Sequence, residues 1–327
     1  MSEACTIDMI RAAAQRLNGH ARRTPLLSSP FLDDIAGRRV FIKPECLQHT
    51  GSFKFRGGYN TISALDAPTR SKGVIAFSSG NHAQGVALAA KIHGAPSVII
   101  MPADAPQLKI ENTRALGAEI ILYDRDTENR DEIGARLSAD CDLTLIKPFD
   151  NPNVIAGQGT TGLEIAQDAN ELGIENSDVL VCCGGGGLTS GVALACEADA
   201  PTLRVRPVEP AGFDDVARSL ISGTLESNIA TSGNICDAII TPQAGDLTFP
   251  IMQRLCGPGL AVTEDECLSA IAQAFLRLKI VAEPGGAAAL AAALYHGDDL
   301  TGDAVIVTVS GGNVDPAMFK RALAFCA

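Results

Sequence analysis

Between residues 73 and 148, short apolar runs alternate with longer segments whose apolar residues recur at helical spacing. "GVIAF" leads through the polar "SSGNH" into "AQGVALAAKIHG". "PSVIIM" precedes "APQLKIENTRALG", "AEIILYD" precedes "TENRDEIGARLSA", and "DLTLIKP" closes the series. Continuous apolar runs of this length mark strands buried on both faces, and a helix between each pair supplies the crossover that parallel pairing needs. The rhythm restarts at "DVLVCC", passes through "GGGGLTS" into the helical "GVALACEA", and adds strands at "TLRVRPVEP" and "DAVIVTVS". The pattern predicts an α/β protein of two domains, each a mostly parallel twisted sheet flanked by helices. The small domain spans 73–148; the large one is discontinuous, 1–72 and 149–327.

Sites in such folds lie at the C-terminal ends of strands. Three polar or glycine-rich segments fall there: "SSGNH", "CGGGGLTS" and "SGGNVD". In the second, Gly184, Gly185, Gly186 and Gly187 sit between a strand and a helix. Consecutive backbone N–H groups without side chains, beside a helix N-terminus, form a phosphate cradle. One or two glycines would satisfy a tight turn alone. The segment lacks the GK[ST] of a nucleotide P-loop. "GQGTTG", Gly157 to Gly162, matches a dinucleotide fingerprint literally, but it follows "FDNPNVIA", which reads as a loop where that fingerprint needs a strand. "SSGNHAQG" starts a helix, with Ser78, Ser79 and Asn81 suited to its N-terminus, where a ligand carboxylate can be received. "TGSFKFRGG" sets one ammonium, Lys54, between two phenylalanines, with Gly57 and Gly58 allowing close backbone packing. Burial there lowers an amine pKa.

Composition narrows the classes. A formal charge of −12 disfavours nucleic acid as a partner. Hydrophobic content of 46% with 20% charged residues fits a globular protein rather than a disordered one. "MSEACTIDMI" carries no secretory pattern, and no apolar run is long enough to cross a bilayer. Ten cysteines without a CxxC pair read as reduced thiols, several of them buried, in a cytoplasmic protein.

A phosphate cradle, a carboxylate-receiving helix end and a lysine in an apolar setting together suggest pyridoxal phosphate. "TGSFKFRGG", "SSGNHAQG", "CGGGGL", "EPGGAAALAA" and "SGGNVD" occur in the order found in fold-type II pyridoxal phosphate enzymes, whose fold is like that of the tryptophan synthase β chain. The chain most resembles the serine racemase and serine/threonine dehydratase family, from "RTPLLSS" to "VSGGNVD". It ends soon after that motif, so the C-terminal regulatory domain of biosynthetic threonine dehydratases is expected to be absent. The resemblance implies that Lys54 forms the Schiff base and transfers protons on one cofactor face, with Ser79 the acid/base group on the other. It implies that Phe53 packs on the cofactor ring, Asn81 meets its phenolic oxygen, and Gly184 through Leu188 hold its phosphate. Ser310 would face the pyridine nitrogen as a neutral hydroxyl, which suits β-elimination better than transamination. Substrate would meet Ser78, Ser79, Asn81 and His82, with Thr241 in "ITPQAGDLTF" adding a hydroxyl. "VEPAGFDD" resembles the family's divalent-cation site, with Glu209, the Phe213 carbonyl and Asp215 as oxygen ligands for Mg²⁺, Mn²⁺ or Ca²⁺. Arg130 in "DTENRDEIG" aligns with an arginine that reaches a second substrate carboxylate. The activity implied is dehydration of a 3-hydroxy amino acid, with 3-hydroxyaspartate the leading substrate and serine/threonine dehydration or serine racemisation the alternatives. A homodimer is expected.

Overall fold

The computed structural model describes residues 4–78, 80–105, 107–124 and 127–326; the side chains of Leu108, Arg130, Asp131 and Cys326 lie outside that description. In chain order the strands are β1 (Leu27–Ser28), β2 (Arg39–Pro44), β3 (Val74–Phe77), β4 (Ser97–Pro102), β5 (Glu119–Tyr123), β6 (Thr144–Leu145), β7 (Asp178–Cys182), β8 (Arg204–Pro210), β9 (Leu260–Val262) and β10 (Ala304–Val309). They form two sheets, one ordered β1-β2-β10-β7-β8-β9 and the other β5-β4-β3-β6. Every pairing is parallel except β1 with β2.

The smaller sheet follows the apolar pattern strand for strand, with one correction. "DLTLIKP" pairs with β3 only through Thr144 and Leu145, with one further bond from the Ile146 N–H to the Ile75 carbonyl. It is an edge strand, and Pro148 has no N–H with which to continue a ladder. The larger sheet takes strands from both sides of the smaller one in sequence. β2 pairs with β10 over six residues, although its sequence does not carry an uninterrupted apolar run. Its run "RVFIKP" is broken by Lys43, which is nevertheless fully buried.

"GGAAALAAAL" lies within the Pro284–Tyr295 helix, whose residues from Pro284 to Leu294 are all buried. It packs with β7, β8 and β10 in the main core. Alanine suits this place because a helix without bulk can sit close against a sheet on every side. Among the described residues no helix is long and apolar enough to cross a membrane. The nine described cysteines are all free.

"GQGTTG" is neither strand-end nor loop. It lies inside the Pro152–Leu172 helix, which Asn151 caps by accepting from the N–H groups of Asn153 and Val154. The "DNP" that reads as a loop is therefore a helix start, with proline at the first helical position. The glycines serve helix contact. A Cβ on Gly191 of the Gly187–Asp199 helix would stand 2.6 Å from the Gly159 nitrogen, and one on Gly162 would stand 2.7 Å from the Val192 Cα. Neither backbone can yield without separating the helices. Gly191→Ala should therefore lower stability by about 1–3 kcal/mol through overpacking, even though alanine is the better helix former by about 1 kcal/mol. Urea unfolding followed by circular dichroism checks this; an unchanged or raised midpoint would refute the close-contact account.

Candidate active site

β7 and β10 are neighbours at the centre of the large sheet, and β3 lies within the small one. Their C-terminal ends open into a cavity of about 440 Å³, a size that suits a small ligand. β7 delivers Gly184–Gly187, β10 delivers Ser310, and β3 delivers Ser78 and, after Gly80, the Asn81–His93 helix. Lys54 comes from a fourth direction, as the first residue of the Lys54–Ser63 helix.

The Lys54 ammonium donates to the Pro148 carbonyl at 2.8 Å and lies 5.1 Å from the centre of the Phe53 ring. Burial lowers its pKa to about 8, against the opposing pull of Glu283. The two flanking phenylalanines divide their work: Phe53 lines the cavity with Lys54, whereas Phe55 is fully buried in the core against Tyr59.

At the glycine turn no side chain caps the Gly187–Asp199 helix, so its first-turn N–H groups open toward the cavity without an intrahelical partner. Gly186 has φ +86°, in the region that favours glycine. All four glycines are also fixed by packing. Cβ atoms on Gly184, Gly185, Gly186 and Gly187 would lie 3.0, 2.4, 2.5 and 3.0 Å from Ile239, Phe149, Met252 and Phe149. The number of glycines thus has a packing reason besides any ligand. Leu188 follows, buried and lining the same wall.

The Asn81–His93 helix begins after Gly80 with no side-chain cap. The Asn81 amide instead donates to the Glu283 carboxylate and accepts from Asn313 at 2.7 Å. The Ser78 hydroxyl accepts from the Gly80 N–H at 3.2 Å. Ser79 lies outside the described residues. His82 is buried, and its Nε2–H donates to the Ile146 carbonyl at 2.8 Å. Burial and the nearby Lys54 push its pKa down to about 3, so the ring is neutral. The Ser310 carbonyl accepts from the Phe53 N–H at 3.2 Å, tying the lysine segment to the end of β10. Thr241 lines the cavity, and its buried hydroxyl has no partner.

Three charged residues lining this cavity carry no assignment from sequence. Glu283 is buried, and burial raises its pKa to about 7 in spite of the Asn81 hydrogen bond. A glutamate before Pro-Gly-Gly reads as a helix cap, but it makes no cap bond. Lys109 and Asp237 face each other across the opening at 3.6 Å.

Glu209 and Asp215 lie apart from the cavity lining, on β8 and at the start of the Asp215–Ser222 helix. Both are fully buried. Glu209 accepts from the Val216 and Ala217 N–H groups at 3.0 and 2.8 Å, and Asp215 accepts from Asn228 at 2.6 Å. Asp215 Oδ2 has no partner. Burial, reinforced by Asp215, raises the Glu209 pKa well above the usual carboxylate range. Burial likewise lifts Asp215 to about 6. Phe213, between them in sequence, is also buried. No group of three His, Cys, Asp or Glu side chains with metal-site spacing occurs among the described residues. Arg130 begins the Arg130–Cys141 helix of the small sheet; its side chain lies outside the description.

A desolvated lysine opposite an uncapped helix end, on a two-sheet parallel α/β frame, defines an enzyme that binds a phosphorylated carbonyl cofactor. The chain belongs to the pyridoxal-phosphate dependent enzyme family, whose model matches residues 17–312. It is 43% identical over 308 residues, 94% of this chain and 95% of the relative, to an L-threo-3-hydroxyaspartate ammonia-lyase of a Pseudomonas species. It is 40% identical to an L-threonine ammonia-lyase of Thermotoga maritima, covering 97% of this chain and 77% of that one. The structure of maize serine racemase superposes with a TM-score of 0.90 at 37% identity, covering 98% and 97% of the two chains. The fold is therefore fold-type II, as the ordered motifs imply.

With a pKa of about 8, roughly a tenth of Lys54 is the neutral, nucleophilic amine at pH 7. Capture of pyridoxal phosphate by cofactor-free protein, followed by absorbance, should accelerate about tenfold between pH 6 and 7 and level off above about pH 8. A profile still rising steeply past pH 9 would mean that the amine is not desolvated.

Proposed function

We infer that this chain is a pyridoxal phosphate-dependent dehydratase, an ammonia-lyase that acts on a 3-hydroxy amino acid, with 3-hydroxyaspartate its preferred substrate. The observation that carries the reaction is the single cavity shared by Lys54, with its lowered pKa, the uncapped glycine turn and a neutral serine, Ser310. These residues fit the cofactor: the helix end suits its phosphate, Lys54 its aldehyde, Asn81 its phenolic oxygen, and Phe53 its ring. Bound there, pyridoxal phosphate supplies the electron sink that acidifies the substrate α-C–H.

The chain's own groups supply the rest. Lys54 Nζ, held by the Pro148 carbonyl, takes the α-proton. The Asn81 helix end, with Ser78, Ser79 and His82, receives the substrate carboxylate, and Thr241 offers a hydroxyl. Loss of water leaves an enamine that tautomerises to an imine; from hydroxyaspartate this is iminosuccinate, which hydrolyses to oxaloacetate and ammonia. Elimination uses one face of the carbanion. Racemisation would need Ser79 on the other face, and the likeness to serine racemases keeps that activity, with serine or threonine dehydration, as the second reading.

Several features complete this reading. The chain divides into a small domain, 73–148, and a discontinuous large domain, 1–72 and 149–327, with one sheet in each. The assembly is a cytoplasmic homodimer. Glu209 and Asp215, with the Phe213 carbonyl, hold a divalent cation; the donors are hard oxygens, and the unpartnered Asp215 Oδ2 is a vacant donor within the set. The preference for a second carboxylate is assigned to Arg130.

Kinetics on serine, threonine and the 3-hydroxyaspartate stereoisomers, scored for ammonia and for racemised product, test the function. Truncating one partner of a desolvated charge pair costs about 2–5 kcal/mol, roughly 30-fold to several thousand-fold in kcat/KM. Arg130→Ala should lose that much on hydroxyaspartate and far less on serine, with Arg130→Lys rescuing only partly because it lacks the fork. An equal loss on both substrates would overturn the dicarboxylate assignment. EDTA should lower thermal stability and activity, with recovery on adding Mg²⁺, Mn²⁺ or Ca²⁺, and Glu209→Gln should imitate it. Indifference in both assays would remove the cation.

A further inference from the structure

Among the described residues lining the cavity, Lys54 and Lys109 are the cations. Lys54 is committed to the Pro148 carbonyl. Lys109 is not committed in this way. It sits in the first turn of the Gln107–Ala115 helix, which belongs to the small sheet, and its carbonyl is pinned by the Thr113 hydroxyl at 2.8 Å. Its ammonium stands 3.6 Å from Asp237 Oδ2, beyond hydrogen-bond range. Asp237 belongs to the loop that continues through Thr241, and both line the cavity. The two side chains differ in exposure: Lys109 is 23% exposed and Asp237 is 65% exposed. The pair is loose, half in water, and spans the opening between the two sheets. Both ends also act on the buried Glu283 through charge, which places them close to the reacting groups. The Thr241 hydroxyl, buried without a partner four residues after Asp237, marks the same wall as a place that expects a ligand oxygen.

Resting on the dehydratase reading, we propose that Lys109 selects dicarboxylate substrates by exchanging Asp237 for the substrate's distal carboxylate. A loose, exposed ion pair contributes little and is cheap to break. A carboxylate brought into the cavity under Lys109 forms a shorter, better desolvated contact. Asp237 then turns to water, where an exposed carboxylate is well solvated. A monocarboxylate substrate offers nothing for the exchange, and the Lys109–Asp237 pair stays as it is. Because the partners belong to different sheets, the exchange also decides whether the opening is held by protein charges or by the substrate itself. This assignment stands on described side chains and gives the distal carboxylate a second cation in addition to Arg130, each tested by its own variants.

The proposal makes two variants move in opposite directions. Lys109→Met keeps the stem and removes the charge; Asp237→Asn removes the competitor and a repelling anion. In the holoenzyme, calorimetric binding of succinate, a dicarboxylate without an amino group, should weaken at least about tenfold in Lys109→Met and tighten in Asp237→Asn, with propionate as the monocarboxylate control. The ratio of kcat/KM for hydroxyaspartate over serine should fall by about 30-fold in the first variant and hold or rise in the second. Parallel losses in both variants, or equal weakening of succinate and propionate, would overturn the exchange. A hydroxyaspartate-over-serine ratio left unchanged by Lys109→Met would overturn it while leaving the dehydratase reading intact. Wild-type protein that ignores hydroxyaspartate yet binds succinate through Lys109 would do the reverse, sinking the substrate reading and keeping the exchange.

Discussion

The position of Lys54 depends on a guanidinium two residues away. Arg56 is fully buried. Its Nε and Nη2 meet the two oxygens of Glu45 at 2.7 and 2.8 Å, and its Nη1 and Nη2 meet those of Glu164 at 2.7 and 3.0 Å. Glu45 follows directly on β2, and Glu164 lies on the Pro152–Leu172 helix. Lys43 adds a second buried cation, 2.6 Å from Glu164 and 3.7 Å from Asp168, so two cations face three carboxylates. Buried ion pairs rarely stabilise more than apolar packing would, but removing one partner costs about 3–5 kcal/mol. Their effect is geometric: a planar fork meeting a carboxylate fixes direction as well as distance. A slip of one residue in that helix would turn Lys54 through about 100° and take it out of the cavity.

With the helix held, the chemistry around Lys54 follows from opposing terms. Burial favours the neutral amine, while Glu283 favours the ammonium. Glu283 is itself shifted toward its neutral form by burial, with Asn81 opposing. The result is an amine and a carboxyl whose pKa values, about 8 and about 7, lie near neutrality. Such tuning suits proton transfer at neutral pH. His82 gains no such role, because the same burial and the lysine charge keep it neutral.

The strands of the small sheet were legible because each is a continuous apolar run bounded by glycine, proline or a polar turn. β2 was obscured by one lysine that only the folded network can neutralise, and β9 is three residues long. Of the site, the elements with a local signature were legible: the glycine turn, "SSGNH" and the lone lysine between aromatics. Glu283, Lys109 and Asp237 were not, since each looks like an ordinary surface or capping residue until two separate segments meet. Arg56 was hidden for the same reason. Its partners are 11 and 108 positions away, and no spacing rule connects them.

The glycine turn shows how far a local signature can carry. Four consecutive glycines exceed what a turn alone requires, and the surplus suggests room for a phosphate. The structure gives each glycine a neighbour that a Cβ would strike, so glycine count alone does not separate a tightly packed turn from a binding loop. The feature that points to a ligand is an uncapped helix end that borders the cavity. Elsewhere this chain caps helix starts with side chains, at Thr6, Asp66, Asn151, Thr263 and Asp315. The Gly187–Asp199 and Asn81–His93 helices have no such bond, and both begin at the cavity. Five further helices also start without a side-chain cap, so it is their place at the cavity that makes the open donors of these two available to a ligand's anionic groups.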